Sequence, residues 1–292
     1  MHAVVLVGGF GTRLRPLTYT VPKPMLPVCN RPIIEHLLAN LGRAGVTEAT
    51  LALGFRPEPF VEAFPDGECA GIRLHYAVEP EPLDTAGAIR FAAEYSGIDE
   101  TFIVANGDIL TDLDVAELVA HHRSRGGEGT IHLIPVEDPS AFGVVATDES
   151  TKVLAFVEKP APGTEPSNLI NAGTYVFEPS VLGRIEPGRK VSVERVVFPS
   201  MVADGALYAL ARDVYWVDTG RPELYLQANL DLLDGTRGRS LSGIEAGAMV
   251  APDAVVERSC VAAGATVGQG AVVRDSVLLP GAHVGRRAHV VR

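Results

Sequence analysis

Short apolar runs alternate with amphipathic stretches along the first part of the chain. Runs at residues 4–7, 50–53, 73–78 and 101–105 have the length and composition of buried strands. Apolar residues recur every three to four positions at 33–44, 85–94 and 114–123, which predicts helices, and Asp114 is a candidate N-cap. This alternation predicts an α/β fold of βαβ units, with helices flanking a mainly parallel sheet.

The C-terminal part of the chain, from about residue 244, shows an internal repeat with a different spacing. Gly247, Gly264 and Gly281 each begin a Gly-Ala segment and lie 17 residues apart. The pattern resembles the hexapeptide repeat of a short left-handed parallel β-helix. We therefore predict a large domain at 1–234, a linker at 235–243 and a truncated β-helix at 244–292. Such coils cannot bury their faces alone, so we expect them to pack on the large domain or on a second copy, in a homo-oligomer.

The first apolar run ends in a glycine-rich basic loop. Glycine lets backbone N–H groups approach a ligand closely, so a loop of this kind can cradle a polyphosphate. The loop does not match GxxxxGK[ST], and the third glycine of GxGxxG would fall at Leu14. Lys23 follows between two prolines. The candidate nucleotide-binding residues of this segment are Gly8, Gly9, Gly11, Thr12, Arg13 and Lys23.

Two aspartates are candidate metal ligands. Asp108 follows the run 101–105 in an Asn-Gly-Asp sequence, and ligands of parallel sheets bind at the carboxyl ends of strands. Asp218 lies between a strand-like WV and a predicted helix in YWVDTGRPELYL. Mg²⁺ prefers one or two carboxylates together with phosphate oxygens. The alternatives are a capping Asp in an Asn-Gly turn for Asp108 and a helix-start residue for Asp218.

The middle of the chain carries groups that suit a sugar phosphate. Glu158 and Asn171 can pair with sugar hydroxyls, and Lys159 can supply a cation for the phosphate. Adjacent residues of a regular strand point to opposite faces, so Glu158 and Lys159 cannot both face one pocket from such a strand. Either Pro160 or a bulge breaks the alternation there, or one of the two residues is structural.

Composition narrows the classes of protein. A chain of 292 residues with 47% hydrophobic content allows one large α/β domain and a small appendage. The formal net charge of −11 argues against nucleic-acid binding, and no apolar run approaches the ~20 residues of a membrane span. We expect a cytoplasmic protein. Cys29, Cys69 and Cys260 lack metal-site spacing and are interpreted as reduced structural thiols, and His121 with His122 as a solvated helix end.

The sequence GGFGTRLRPLT followed by PKPM resembles the signature of the sugar-1-phosphate nucleotidyltransferases, and the resemblance extends from about residue 3 to 234. It implies a Rossmann-like fold, with a nucleoside triphosphate and a sugar 1-phosphate as substrates. It also implies that Arg13 stabilises the triphosphate in the transition state and that Lys23 holds the reacting phosphates. Mg²⁺ would lie between Asp108 and Asp218. Further implied contacts are Gly107 to the nucleotide, and Gly143, Glu158, Lys159 and Asn171 to the sugar phosphate.

Glu79 is the candidate base-reading residue within that resemblance. Thymidylyltransferases of the family have glutamine at the matching position, whereas a carboxylate can accept both N1–H and N2–H of guanine. The alternative is that Glu79 and Glu81 are solvent-facing charges. Asp84 replaces a glycine that is usual in this loop, and could change the loop's shape or add an acceptor.

Two further features lean toward mannose-1-phosphate guanylyltransferases: PKPM in place of SKQ, and the VSVERVVFP segment with Ser192 as a candidate N-cap. GTP and mannose 1-phosphate are then the expected substrates. A thymidylyl-, uridylyl- or adenylyltransferase for another sugar or cyclitol phosphate remains open. So does a non-catalytic sugar-nucleotide-binding subunit, which retention of all the candidate residues disfavours. Three coils are too few to frame the acyltransferase site carried by β-helix tails of related bifunctional enzymes.

Overall fold

The computed structural model describes residues 1–9, 11–54, 57–238 and 240–292. The chain divides into two compact units, which we describe separately. The first unit consists of Met1–Phe10 and Leu37–Trp216, and the second of Gly11–His36 and Val217–Arg292. Among the described residues, no helix has the length and apolar character needed to cross a bilayer.

The regular elements, in chain order, match the predicted alternation in the first part of the chain. The helices are α1 (Ile33–Arg43), α2 (Glu58–Ala63), α3 (Asp84–Tyr95), α4 (Val115–Arg125), α5 (Phe198–Ala203) and α6 (Pro222–Asp234). The strands up to residue 218 are β1 (His2–Leu6), β2 (Pro27–Val28), β3 (Arg31–Pro32), β4 (Glu48–Leu53), β5 (Glu68–Cys69), β6 (Ile72–Val78), β7 (Phe102–Asn106), β8 (Ile109–Thr111), β9 (Gly129–Pro135), β10 (Gly143–Thr147), β11 (Val153–Glu158), β12 (Leu169–Phe177), β13 (Leu207–Ala211) and β14 (Trp216–Asp218).

A ten-stranded mixed sheet forms the first unit. Its main order is β11-β10-β12-β7-β1-β4-β6-β5, and β9 extends it by pairing with β12 and β13. The central strands β7, β1, β4 and β6 are mutually parallel and are the four predicted strands. The antiparallel strand β12 then joins the centre to the β10–β11 hairpin. The predicted α/β fold class is therefore confirmed.

Burial on both faces explains why the central strands are continuous apolar runs. Ala3, Val4 and Val5 of β1 are completely buried, as expected for a parallel strand covered by helices. The predicted N-cap of α4 is also confirmed, because Asp114 accepts hydrogen bonds from two backbone N–H groups in the first turn, at 2.9 and 3.2 Å. The same helix ends at Gly126, whose φ of 68° allows the left-handed C-cap.

One prediction about α4 is wrong. His122 is buried rather than solvated, with an exposed fraction of 1%. Its Nδ1 lies 2.9 Å from Thr130 Oγ1 and its Nε2 lies 3.0 Å from Glu178 Oε1. His121 is only partly buried and lies 3.0 Å from Thr151 Oγ1. The sequence shows two adjacent polar residues near a helix end, but the sheet beside α4 covers one of them.

The tail, within the second unit, forms the predicted β-helix. Each strand pairs in parallel with the strand 17 residues later, as in the register Met249 to Thr266 to His283. Three such rows build the coils: β15, β18 and β21 in one, β16, β19 and β22 in the next, and β17 with β20 in the third. The strands are β15 (Met249–Val250), β16 (Val255–Glu257), β17 (Cys260–Val261), β18 (Thr266–Val267), β19 (Val272–Arg274), β20 (Val277–Leu278), β21 (His283–Val284) and β22 (His289–Val291).

Small and branched apolar residues fill the interior of these coils. Val261, Val267 and Val273 are buried together with alanines at the corners. The repeated glycines have φ values of 94°, 76° and 79°, a conformation that favours glycine at each corner. Arg239, in the predicted linker, lies outside the described residues.

Candidate active site

The carboxyl ends of β1 and β4 meet without side chains between them. A Cβ atom on Gly8 would lie 3.2 Å from the backbone N of Gly54, and one on Gly54 would lie 3.1 Å from the carbonyl oxygen of Gly8. Gly9 differs, because, apart from its chain neighbours, none of the described residues has an atom within 4 Å of a Cβ placed there. Close packing therefore explains the glycine at position 8, whereas the backbone at position 9 borders open space.

Gly107 brings the turn after β7 against the end of β1. Its N–H donates to the carbonyl oxygen of Leu6 at 2.9 Å. A Cβ at this position would lie 2.6 Å from a methyl carbon of Val7 and 2.9 Å from the Leu6 carbonyl oxygen. The predicted strand-end position of Asp108 follows from this turn, which joins β7 to β8. Asp108 is half-buried there and makes at least one polar or electrostatic interaction.

Glu79 lies beside Gly8, at the same edge of the sheet. It is 7% exposed, so the solvent-facing alternative is wrong for Glu79, although Glu81 is exposed. Its Oε2 accepts the backbone N–H of Leu83 at 2.8 Å, and its Oε1 lies 3.6 Å from the position of a Cβ on Gly8. Burial raises the pKa of the Glu79 carboxyl, and the hydrogen bond from Leu83 opposes this shift.

Asp84 takes the backbone conformation of the glycine that it replaces. Its φ is 61°, in the left-handed region, and its side chain is exposed. The Oδ1 atom accepts the N–H of Thr85 at 2.8 Å, a local bond that suits an Asp in this conformation. The substitution therefore leaves a glycine-like backbone in the loop and adds an exposed carboxylate at the start of α3.

Glu158 and Lys159 come together through an irregular backbone at the end of β11. Lys159 has a φ of 50°, so the side-chain alternation of the strand breaks at this residue. Its Nζ lies 3.5 Å from Glu158 Oε1. Gly143 pairs with Glu158 across the hairpin, and a Cβ there would lie 3.1 Å from Glu158 Oε2. The structure thus brings three predicted sugar-site residues together.

A bulge in β12 orients Asn171. The pairing of β12 with β9 shifts register between Asn171 and Tyr175, and Gly173 within the bulge has a φ of 76°. Asn171 Oδ1 accepts the N–H of Gly173 at 3.1 Å, and its Nδ2 donates to the Tyr175 hydroxyl at 2.9 Å. The neighbouring Ala172 carbonyl accepts the indole N–H of Trp216 at 2.9 Å. The Asn171 amide is therefore held by its own bulge.

Glu194, a carboxylate that was not among the predicted site residues, lies in the first unit. Glu194 Oε2 accepts the Thr85 hydroxyl at 2.8 Å and the Ser192 hydroxyl at 2.7 Å. Thr85 Oγ1 also accepts the N–H of Val193 at 2.8 Å. Ser192 accepts the N–H of Arg195 at 3.2 Å, which confirms the predicted cap.

This network joins the segment after Glu79 to the segment that begins at Ser192. Burial, followed by the charge of Glu194 and then that of Glu158, keeps the pKa of the Tyr175 hydroxyl high. Both carboxylates therefore act on the tyrosine that Asn171 contacts. The sequence did not predict this network, because Thr85 and the VSVERVVFP segment that contains Glu194 are 109 residues apart.

In the second unit, two cations and one carboxylate surround Gly220. Lys23 is buried and donates from Nζ to Asp218 Oδ1 at 2.9 Å, and the same oxygen accepts the N–H of Gly220 at 2.9 Å. A Cβ on Gly220 would lie 2.7 Å from Arg13 Nη2, 2.9 Å from Asp218 Oδ1 and 3.2 Å from Lys23 Nζ. Glycine at this position allows the three side chains to lie close together.

Gly11 packs the basic loop against the Lys23 segment. Its φ is 57°, and a Cβ there would lie 3.0 Å from Thr18 Cγ2 and 3.2 Å from Lys23 Cβ. The Thr18 hydroxyl donates to the carbonyl oxygen of Gly11 at 2.7 Å. Thr12 and Arg13 follow in a short 3₁₀ turn and are exposed. The loop therefore has a packed base and exposed polar side chains.

The candidate metal ligands have the right chemistry for a hard divalent cation. Asp108 and Asp218 offer carboxylate oxygens, and such cations complete their shell with water and phosphate oxygens. One oxygen of Asp218 already accepts two hydrogen bonds. Within the described ranges, no group of three or more His, Cys, Asp or Glu side chains could hold a metal by itself. Each carboxylate, taken by itself, has the chemistry of a ligand for a metal ion that shares its shell with a bound phosphate.

Comparisons with known proteins agree with these observations. The family described as nucleotidyl transferase matches residues 2–235, and that described as GlmU-like, C-terminal hexapeptide matches residues 231–292. The mannose-1-phosphate guanylyltransferase of Mycobacterium tuberculosis is 44% identical over 269 residues, which cover 88% of this chain and 73% of that protein. The mannose-1-phosphate guanyltransferase of Schizosaccharomyces pombe is 41% identical over 271 residues, 89% of this chain and 74% of that protein.

A solved structure supports the fold independently. HddC from Yersinia pseudotuberculosis, in a complex with GMP-PN, has a TM-score of 0.66 at 29% identity, and the match covers 78% of this chain and 97% of that one. The nucleotidyl transferase match spans every predicted site residue from Gly8 to Asp218.

Proposed function

We propose that this chain, which belongs to the nucleotidyl transferase family, transfers the guanylyl group of GTP to mannose 1-phosphate and releases pyrophosphate. The names of its relatives in bacteria and fungi support this substrate pair. The single observation that carries it is the buried carboxylate of Glu79 beside Gly8.

The base is read by Glu79. Guanine offers two neighbouring donors, N1–H and N2–H, which a carboxylate can accept together, whereas uracil and thymine offer one donor between two acceptors. Because Leu83 N–H already holds one carboxylate oxygen, the group has a fixed orientation before the nucleotide arrives. Hydrogen bonds from the two guanine donors to the carboxylate would also lower the raised pKa of Glu79 back toward its usual range.

The phosphates are held by the glycine loop and the two cations of the second unit. Gly8, Gly9, Gly11 and Thr12 supply backbone and hydroxyl donors, and Gly107 lets its turn approach the end of β1. Arg13 is exposed, where it can meet charge that develops on the triphosphate, whereas Lys23 is buried and donates to Asp218. A buried and an exposed cation suit an in-line displacement, in which catalysis consists of positioning and charge neutralisation.

A divalent cation, which we propose to be Mg²⁺, would be held by Asp108 and Asp218. When bound, it would neutralise charge on the phosphate oxygens. Asp218 also keeps the buried ammonium of Lys23 in place, so its carboxylate has two tasks. Mannose 1-phosphate would be held by Gly143, Glu158, Lys159 and Asn171. Lys159, which is largely exposed next to Glu158, is the cation for its phosphate.

The reaction needs no covalent intermediate between the nucleotide and an enzyme nucleophile. A phosphate oxygen of mannose 1-phosphate attacks the α-phosphorus of GTP, and the bond from that phosphorus to the bridging oxygen of pyrophosphate breaks. We further propose the division into a catalytic domain at 1–234, a linker at 235–243 and a β-helix at 244–292. The β-helix would serve assembly of a homo-oligomer rather than chemistry.

A pyrophosphate-release screen of the purified chain tests this function. All common nucleoside triphosphates are combined with mannose, glucose and other sugar 1-phosphates in the presence of Mg²⁺. We expect GTP with mannose 1-phosphate to give the highest kcat/KM. Release with another pair would change the substrate assignment, and absence of release with every pair, in folded protein, would favour a non-catalytic binding role.

A further inference from the structure

Two of the three cysteines are neighbours in space although they are 231 residues apart in sequence. Cys29 lies in the tight turn between β2 and β3, and Cys260 lies in β17 of the β-helix. Their sulfur atoms are 3.6 Å apart, and the Cys260 thiol donates to Cys29 Sγ. Both side chains are buried and neither is in a disulfide.

We propose that Cys29 and Cys260 form a reversible intramolecular disulfide when the protein meets a hydroperoxide, fastening the β-helix to the β2–β3 hairpin. The sulfur atoms would have to approach by about 1.6 Å to reach the S–S bond length of roughly 2.0 Å. An approach of that size is a small adjustment for two side chains on short connecting segments.

The surroundings hold Cys29 ready for this reaction. Its backbone N–H donates to Asn229 Oδ1 at 2.9 Å, and its Sγ lies 3.4 Å from the Asn229 carbonyl oxygen. Asn229 Nδ2 in turn donates to the carbonyl oxygen of Tyr225 at 2.9 Å. These contacts fix the hairpin turn to α6. The turn itself has φ values of 47° at Cys29 and 65° at Asn30, as in the tight two-residue turns of β-hairpins.

Hydrogen bonds also hold the segment of the β-helix that contains Cys260. Asn30 Nδ2 donates to the carbonyl oxygen of Gly243 at 3.0 Å, and Val261 N–H donates to the same oxygen at 2.8 Å. One carbonyl group therefore accepts from the residue after Cys29 and from the residue after Cys260. Such a shared acceptor keeps the two cysteines in register. An oxidised bond would form within an arrangement that the reduced protein already has.

The chemistry assigns different tasks to the two sulfurs. Donation from the Cys260 thiol lowers the pKa of Cys29, whereas that donation and burial raise the pKa of Cys260. The Cys29 thiolate attacks one oxygen of hydrogen peroxide, which gives a sulfenic acid and hydroxide, and the hydroxide takes up the proton that the Cys29 thiol has released to form the first water. The Cys260 sulfur then attacks Cys29 Sγ and displaces the hydroxyl group, and its proton completes the second water. Two thiols and one peroxide yield one disulfide and two waters, so the sulfurs lose two electrons and the peroxide gains them.

The test uses the full chain, treated with hydrogen peroxide under native conditions and then denatured for thiol counting. We expect the count to fall from three thiols to one, and mass spectrometry of the unreduced digest to find the Cys29 and Cys260 peptides joined. The thermal midpoint should rise by roughly 5 °C, and dithiothreitol should reverse both changes. Non-reducing electrophoresis should show a single chain.

Matched variants separate this pair from other thiol chemistry. Cys69→Ser removes the third buried cysteine and should leave the peroxide-induced rise in thermal midpoint unchanged, whereas Cys29→Ser and Cys260→Ser should each abolish it. Three remaining thiols in treated wild-type protein would overturn the proposal. So would a cross-link through Cys69 or between chains, or a disulfide at the proposed position that leaves the midpoint unchanged. None of these readouts depends on the proposed catalytic activity.

Discussion

Replacing Glu79 by glutamine should change the nucleotide preference without disturbing the fold. The carboxylate uses Oε2 to accept the N–H of Leu83 at 2.8 Å. A glutamine can keep that hydrogen bond only with its amide oxygen in the same place. Its NH₂ group then takes the position of Oε1, toward Gly8. The variant therefore presents a donor where guanine also presents donors.

The magnitude follows from the hydrogen bonds that are lost. A hydrogen bond to a charged group contributes roughly 1.5 to 3 kcal/mol. Loss of one such bond corresponds to a fall of roughly 10- to 100-fold in kcat/KM for GTP, at about 1.4 kcal/mol per factor of ten. The pyrimidine triphosphates should lose little or gain, since an amide donor can pair with a carbonyl oxygen of uracil or thymine. Stability should be kept, because a neutral amide costs less to bury than a carboxylate.

The assay compares kcat/KM for GTP, UTP and dTTP in wild type, Glu79→Gln and Glu81→Gln. Glu81 is an exposed carboxylate two residues further along the same loop, so its variant controls for the loss of one negative charge there. Glu81→Gln should behave as wild type. Equal falls for all three nucleotides in Glu79→Gln, or an unchanged preference, would refute the assignment of base reading to this side chain.

Five further substitutions test other parts of the molecule. Arg13→Ala should lower kcat by roughly 10² or more with an unchanged thermal midpoint, and near-normal turnover would remove Arg13 from the mechanism. Asp218→Asn should weaken activity with partial recovery at higher Mg²⁺, and an unaltered Mg²⁺ titration would contradict a metal-ligand role. Gly9→Ala should keep the thermal midpoint and lower kcat/KM by up to roughly 10²-fold. Gly107→Ala should instead lower the thermal midpoint, because the added Cβ would overlap Val7. Equal midpoints in the two variants would contradict this difference in packing. Burial lowers the pKa of His132 from 6.5 to about 4, so protonation of this side chain favours the unfolded chain. The free energy of unfolding should therefore fall by up to about 3 kcal/mol as the pH drops from 6.5 to about 4. Urea unfolding of His132→Leu should lack this loss, and a pH dependence identical to that of the wild type would refute the role of His132.

Much of the fold is readable from the sequence because its central strands are buried on both faces. Continuous apolar runs predict β1, β4, β6 and β7, and these four strands form the parallel centre of the sheet. The β-helix is readable for a related reason, since each coil repeats the same small and branched residues at the same spacing. The burial of a polar side chain by elements distant in sequence cannot be predicted from such patterns. His122 and Glu79 are polar residues that the sequence allows to be exposed, and tertiary packing covers both.

The candidate site is predictable where it depends on motifs and unpredictable where it depends on contacts between distant segments. Lys23 and Asp218 each stand in a recognisable motif, and the structure pairs them at 2.9 Å. Glu194 stands in the VSVERVVFP segment, but neither it nor Thr85 was a predicted site residue, and the two form a hydrogen bond of 2.8 Å across 109 residues of sequence. The helix that presents Glu194 has π-helical turns, which its sequence does not indicate.

The backbone at Lys159 explains how Glu158 and Lys159 can lie on the same side of β11. Two adjacent polar residues in a strand cannot face one ligand, so a shared role requires that the backbone leave the strand conformation. The left-handed φ of 50° at Lys159 satisfies that requirement, at a cost of roughly 1 kcal/mol for a residue with a Cβ. Asp84, which is also left-handed, follows closely after Glu79. Asp84 accepts a local hydrogen bond from the N–H of Thr85, and each of the two residues stands in a segment proposed to meet a substrate. Strain at two such positions is expected where the sequence has been shaped by the ligand rather than by the fold.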